Sequence, residues 1–224
     1  MHFCFFDIDG TLLNTGGAGQ AAMEDALASE FGITVPTEGV STAGRTDRAI
    51  TVELMQYHGL EDRDETWKRF LRAYLNCLPI CLEKYDGQIL PGVPSLLDAL
   101  SDRNDVVIGL LTGNFEVGAR LKLEYYDLQH HFEFGSFGDR HLDRNDVARE
   151  ALDEAHKRYK GMVASDRLWV VGDTPADVRC GRAIDAQVVA VSTGMYSIDQ
   201  LEAAEPDHLF ADFSHPEPLL RLFG

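Results

Sequence analysis

Short apolar runs recur along the chain, and several end abruptly in small polar residues. "HFCFF" (2–6), "VVIGLLT" (106–112), "FEFGSF" (132–137), "LWVVGD" (168–173) and "AQVVAVS" (186–192) have the composition of buried strands, with "HLFAD" (208–212) as a sixth. A strand apolar at successive positions has both faces covered, the condition of a parallel sheet between two layers of helices. Between the runs, "PGVPSLLDALSDR" (91–103), "FEVGARLKLEYYDL" (115–128), "RNDVAREALDEAHKRY" (144–159) and "TPADVRCGRAI" (174–184) carry apolar residues at helical spacing. The alternation predicts an α/β protein built on a doubly wound, Rossmann-like parallel sheet.

Residues 15–90 break that rhythm, since they contain no convincing strand. "AGQAAMEDALASEFGI" (18–33), "RTDRAITVELMQYHGL" (45–60) and "DRDETWKRFLRAYLNCLPICLEKY" (62–85) read as three amphipathic helices. The stretch is far longer than a usual crossover, so it predicts an all-helical cap inserted after the first strand. The core domain is then residues 1–14 and 91–224, the cap is 15–90, and "TGGAG" (15–19) and "DGQILPG" (86–92) are the hinges.

Composition narrows the partners. The 224 residues carry 20 Lys plus Arg against 37 Asp plus Glu, a formal net charge of -17. Such a field repels polyanions, so neither nucleic acid nor an anionic membrane is an expected partner. An anionic small substrate needs a local cation. No run approaches the roughly 18 apolar residues of a membrane span. Asp7 interrupts the one N-terminal apolar stretch, which argues against a signal peptide. Cys77 and Cys81 are one helical turn apart, but no second cluster faces them. Buried reduced thiols are therefore expected rather than a zinc site, and the cytoplasm is the expected compartment. Nothing in the sequence distinguishes a monomer from a homodimer.

Ligands of open parallel sheets sit beyond the carboxyl ends of the strands, where strand order reverses. Here the first strand ends in Asp7 and Asp9, the second in Thr112-Gly113-Asn114, and the fourth in Asp173 with Asp177 four residues on. "DxD" alone would pass for a strand end or a helix cap; three strands delivering short polar groups to one edge do not. Converging carboxylates repel unless a cation or shared proton holds them. Mg²⁺, which takes about six oxygen ligands at roughly 2.0–2.1 Å, suits them and would attract a phosphate to an acidic protein. Side-chain alternation lets Asp7 and Asp9 lean the same way with Ile8 turned into the core. Gly10 is expected to turn the chain, with the Thr11 hydroxyl fixing that turn.

"FFDIDGTLLNT", "LLTGN" and "VVGDTPADV" together resemble the motifs of the haloacid dehalogenase superfamily of phosphohydrolases. The position of the helical insertion resembles the phosphoglycolate phosphatase-like subgroup. The resemblance implies a Mg²⁺-dependent phosphatase acting on a small phosphorylated metabolite, with Asp7 as the nucleophile that forms an aspartyl-phosphate. It makes Asp9 the general acid/base, and Asp7, Asp9 (through its backbone carbonyl) and Asp173 metal ligands, with Asp177 behind them or as an occasional ligand. Thr112 and the backbone N–H groups near Gly113 and Asn114 would bind the phosphoryl oxygens. Relatives also keep a basic residue that pairs with nucleophile and phosphate, often in a "KP" step that is missing here. Lys122 in the helix after Thr112 is the expected residue, and Arg144 the alternative.

Arg45 follows a glycine at a predicted helix start, a favourable place for an anion, and reads either as a substrate contact or as an ordinary helix-start arginine. The Gly16-Gly17-Ala18-Gly19 stretch would let the cap open and close. Asp9 argues against a dehalogenase or a phosphonate hydrolase, whose relatives replace it. A phosphomutase of the β-phosphoglucomutase kind would keep both aspartates, and a catalytically silent binding protein need keep neither.

Overall fold

Four of the apolar runs, rich in β-branched, aromatic and aliphatic residues, form the centre of the sheet. The computed structural model describes residues 1–224. The first half forms β1 (His2–Phe6), β2 (Leu13–Asn14), α1 (Ala18–Phe31), α2 (Asp47–Tyr57), α3 (Asp64–Lys84), β3 (Gln88–Ile89), α4 (Val93–Ser101) and β4 (Val106–Leu111). The second half forms α5 (Glu116–Tyr125), β5 (Gly135–Ser136), α6 (Arg144–Arg158), β6 (Leu168–Gly172), α7 (Pro175–Arg182), β7 (Gln187–Val191), α8 (Ile198–Glu202), β8 (His208–Phe210) and α9 (Glu217–Leu220).

Six strands form one parallel sheet in the order β5-β4-β1-β6-β7-β8. The chain leaves β1 toward β4 and β5, then crosses back to lay β6, β7 and β8 on the other side. Strand order thus reverses at β1, and the crevice of a doubly wound sheet opens beyond the ends of β4, β1 and β6. β1 shows why the run is apolar throughout. Phe3 and Phe5 pack under α6 and α7 with Val147, Ala151 and Cys180, while Cys4 and Phe6 face α4 and α5 with Leu96, Leu97 and Leu123.

The helical insertion has an apolar cluster of its own, in which Ala22, Met23, Ile50, Met55, Phe70 and Leu78 are buried. Phe115, just before α5, belongs to that same cluster. The insertion is therefore seated on the core by side-chain packing as well as tethered by its ends.

Two expectations change. The span 15–90 is not strand-free, because Gln88–Ile89 pairs antiparallel with Leu13–Asn14. Both strands are two residues long, too short for periodicity to register. "FEFGSF" (132–137) contributes only Gly135–Ser136 to the sheet, since it lies at the edge with β4 as its one neighbour. Phe132 and Phe134 in that run serve packing instead, and both are buried. Cys4, Cys81 and Cys180 are buried, Cys77 is half-buried, and all four are free thiols. No helix is long and apolar enough to cross a membrane.

Candidate active site

The end of β1 runs into a tight turn. The Ile8 carbonyl accepts from the N–H groups of Thr11, Leu12 and Leu13, and Gly10 N–H donates back to Leu13 O at 2.8 Å. Gly10 has φ 85°, which a side chain rarely tolerates. The backbone alone therefore fixes the turn. The Thr11 hydroxyl, expected to do so, instead donates to Asp173 Oδ1 at 3.1 Å, across to the end of β6.

Asp7 and Asp9 occupy different surroundings. Asp7 is buried, with its Oδ1 3.0 Å from an Arg144 guanidinium nitrogen. Arg144 also donates to Asp177 Oδ1 at 2.6 Å. Burial pushes the Asp7 carboxyl up to about 6, Arg144 opposing and Asp177 and Asp9 adding to it. Asp9 has a side chain 39% exposed and accepts from Lys122 Nζ at 2.6 Å and Asn114 Nδ2 at 2.8 Å. Lys122 is itself buried and donates to Asn114 Oδ1 at 2.5 Å. The two cations divide the aspartates between them: Arg144 pairs with Asp7, and Lys122 with Asp9. Of the two basic residues that the sequence offers as the partner of Asp7, the alternative, Arg144, stands beside it rather than Lys122. Arg144 takes that position because it opens α6 directly under the end of β1, held by Asp177 from α7.

Thr112 is buried, and its Oγ1 accepts from Asn114 Nδ2 at 2.8 Å and Asn114 N–H at 3.3 Å. Gly113 and Asn114 line the cavity above; Thr112 lies behind them. Gly113 has no room for a side chain, because a Cβ there would sit 2.0 Å from the Arg45 carbonyl.

Asp7, Asp173 and Asp177 are buried and each offers a carboxylate oxygen within 4.8 Å of the others. Burial raises Asp173 well above the ordinary carboxylate range, and repulsion from Asp177 and Asp7 adds to it. A single guanidinium leaves this trio with surplus negative charge, and its donors are all hard oxygens, so the residues fit Mg²⁺. The glycines around Asp173 keep the space clear: a Cβ on Gly10 or Gly194 would lie 2.3 or 1.7 Å from Asp173 Oδ2. Asp177 is already engaged, its Oδ2 accepting from Thr174 N–H at 2.9 Å and Thr174 Oγ1 at 2.7 Å in the capping box of α7. The Asp9 side chain stands outside the trio, turned to Lys122.

Above these groups is a cavity of about 350 Å³ between core and helical insertion. Arg45 lines it, but its guanidinium bonds to Ser41 O at 3.0 Å, to Ala49 O at 3.4 Å and to Glu53. Sequence reasoning missed Asp47. An aspartate in a first helical turn reads as a dipole partner, and nothing in "GRTDRAI" separates that from a cavity-lining group. Asp47 Oδ2 accepts from Phe115 N–H at 2.9 Å, its own N–H donates to Gly113 O at 2.7 Å, and Thr46 Oγ1 donates to His141 O at 2.7 Å. Burial pushes Asp47 up to about 7 against the pull of Lys122 and the Phe115 N–H.

A reversing parallel sheet with aspartates at the ends of β1 and β6 and a helical insertion after β1 defines a class of hydrolase. Residues 4–191 match the haloacid dehalogenase-like hydrolase family, and the chain belongs to it. It is 28% identical over 211 residues to a phosphoglycolate phosphatase of Synechococcus elongatus, covering 93% of this chain and 92% of that protein. It is 26% identical over 215 residues to a 5'-nucleotidase of Pseudomonas aeruginosa, covering 93% and 90%. CbbY from Rhodobacter sphaeroides, solved in complex with phosphate, shares the fold with a TM-score of 0.74 at 18% identity, covering 96% of both chains.

Proposed function

We propose that the protein is a Mg²⁺-dependent phosphatase that hydrolyses a small-molecule phosphate monoester through an aspartyl-phosphate on Asp7. The observation that carries this is the division of the two aspartates: one buried beside a guanidinium at a strand end, the other half-open to the cavity beside Lys122. The names of the two curated relatives, a phosphoglycolate phosphatase and a 5'-nucleotidase, both describe monoester hydrolysis.

In the first step an Asp7 oxygen attacks phosphorus, the ester P–O bond breaks, and Asp9 delivers its proton to the leaving alkoxide. In the second, Asp9 takes a proton from water, the water oxygen attacks phosphorus, and the bond to Asp7 breaks. Inorganic phosphate leaves and both carboxyls return to their starting forms. Covalent catalysis of this kind splits one difficult displacement into two easier ones. Arg144 orients Asp7. Lys122, Asn114 and the N–H groups near Gly113 hold charge on the transferring phosphoryl group, the larger part of the work in such reactions. Asp7, Asp173 and the Asp9 carbonyl would hold Mg²⁺, with Asp177 behind them; the ion supplies neutralisation of the carboxylates and of the phosphoryl oxygens. The reaction would take place under a helical cap, residues 15–90, hinged at residues 15–19 and 86–92, and in the cytoplasm.

The test is phosphate release from p-nitrophenyl phosphate with Mg²⁺ or with chelator. Release that needs the metal and falls by about 10³-fold or more in Asp7→Asn is expected. Undiminished release from Asp7→Asn would overturn the assignment.

A further inference from the structure

The helical insertion supplies the side of the cavity that faces the part of a substrate beyond its phosphoryl group. Gln20, Thr42, Arg45, Asp47 and Tyr74 line that side. Arg45 is its one cation, and its guanidinium is committed to Glu53, to the Ser41 carbonyl of its own loop and to the Ala49 carbonyl in α2. No unpaired positive charge is left there to receive a carboxylate. The acid on this wall, Asp47, gives one oxygen to the Phe115 N–H at 2.9 Å, and no hydrogen bond engages the other. Tyr74, on the same wall, has its hydroxyl buried without any hydrogen-bond partner. Burial first, then Asp47 and Asp9, pushes that phenol up. A free acceptor and a buried donor without a partner thus stand on one wall of an active-site cavity, and leaving that buried donor unbonded is costly.

Resting on the phosphatase reading, we infer that this wall selects esters whose leaving group is uncharged and hydroxyl-bearing, the free Asp47 oxygen accepting from a substrate hydroxyl. Esters that carry a carboxylate next to the phosphate are disfavoured, since the one cation of this wall, Arg45, is already neutralised by Glu53. A site built to bond a hydroxyl rejects analogues that lack it, because its own polar group is then stranded. Sugar phosphates and nucleoside 5'-monophosphates both present such hydroxyls, and the cavity of about 350 Å³ has room for a leaving group larger than two carbons.

The experiment compares kcat/KM with Mg²⁺ for glucose 6-phosphate and ribose 5-phosphate, for 5'-AMP, for phosphoglycolate, and for p-nitrophenyl phosphate. The best hydroxylated ester should exceed phosphoglycolate by about tenfold or more, and whether it is a sugar phosphate or 5'-AMP identifies the source. In Asp47→Asn, which keeps an acceptor for the Phe115 N–H, that ratio should fall by about tenfold or more. Tyr74→Phe should lower it less. Thermal melting of both variants separates lost selectivity from lost folding. Phosphoglycolate as the better substrate, or an unchanged ratio in folded Asp47→Asn, would overturn the inference while p-nitrophenyl phosphate turnover leaves the phosphatase reading standing. No turnover of any ester, p-nitrophenyl phosphate included, would remove that reading and the inference with it.

Discussion

Lys122 and Arg144 are both buried cations beside an aspartate, yet their losses should differ. Arg144 lies between Asp7 and Asp177, whose side chains are 7% and 1% exposed. Arg144→Ala would leave two buried carboxylates unpaired, a cost of about 3–5 kcal/mol seen as a lowered Tm. Lys122 pairs with Asp9, whose side chain is 39% exposed and can rehydrate. Lys122→Ala should therefore melt close to wild type while turnover falls about 10²–10⁴-fold. Equal destabilisation of the two variants in thermal melts would contradict this division. Asp47 provides a second test, through pH. Its carboxyl is raised from 3.8 to about 7 in the folded chain by burial. The unfolded chain ionises first, so this group favours folding fully below about pH 4, and the benefit is lost as pH rises toward 7. Asp47→Asn should thus be more stable than wild type at neutral pH, by about 2–8 °C in Tm, with the advantage vanishing near pH 4. An advantage independent of pH would mean that Asp47 is not the titrating group.

At the scale of elements, the site depends on backbone held where side chains would not fit. Gly194 follows β7 and leaves 1.7 Å between a notional Cβ and Asp173 Oδ2. Gly194→Ala should displace that carboxylate and raise the Mg²⁺ concentration for half-maximal activity by about 10–100-fold; unchanged Mg²⁺ activation would show that Asp173 does not hold the ion. The elements were legible in sequence to different depths. The β1, β4, β6 and β7 runs announced themselves because both faces of each strand are covered, and α1, α2 and α3 because each buries one stripe. The β2 and β3 ribbon was not legible, since two-residue strands carry no period. The same limit applies to single contacts. The aspartates at the ends of β1 and β6 could be placed by position on a strand. That Thr11 reaches Asp173, that Arg144 rather than Lys122 meets Asp7, and that Asp47 enters the cavity depend on how α6 and α2 pack, which local pattern does not encode.

For the molecule as a whole, an anionic substrate must approach a chain of formal net charge -17. Long-range repulsion of this kind slows encounter at low salt and is screened once the Debye length shrinks to about 8 Å near 0.15 M. The kcat/KM for a phosphate ester at saturating Mg²⁺ should accordingly rise as ionic strength increases from about 0.01 to 0.15 M. The buried groups at the ends of β1 and β6 are shielded from that screening and should keep their kcat. On the proposed mechanism Asp7 is phosphorylated during turnover, and the enzyme acid-quenched in the steady state would carry that group. Peptide mass spectrometry should then find one hydroxylamine-labile phosphoryl group on the segment carrying Asp7, and none in Asp7→Asn. Continued turnover with no phosphoryl group on Asp7, or with one on another residue, would contradict it.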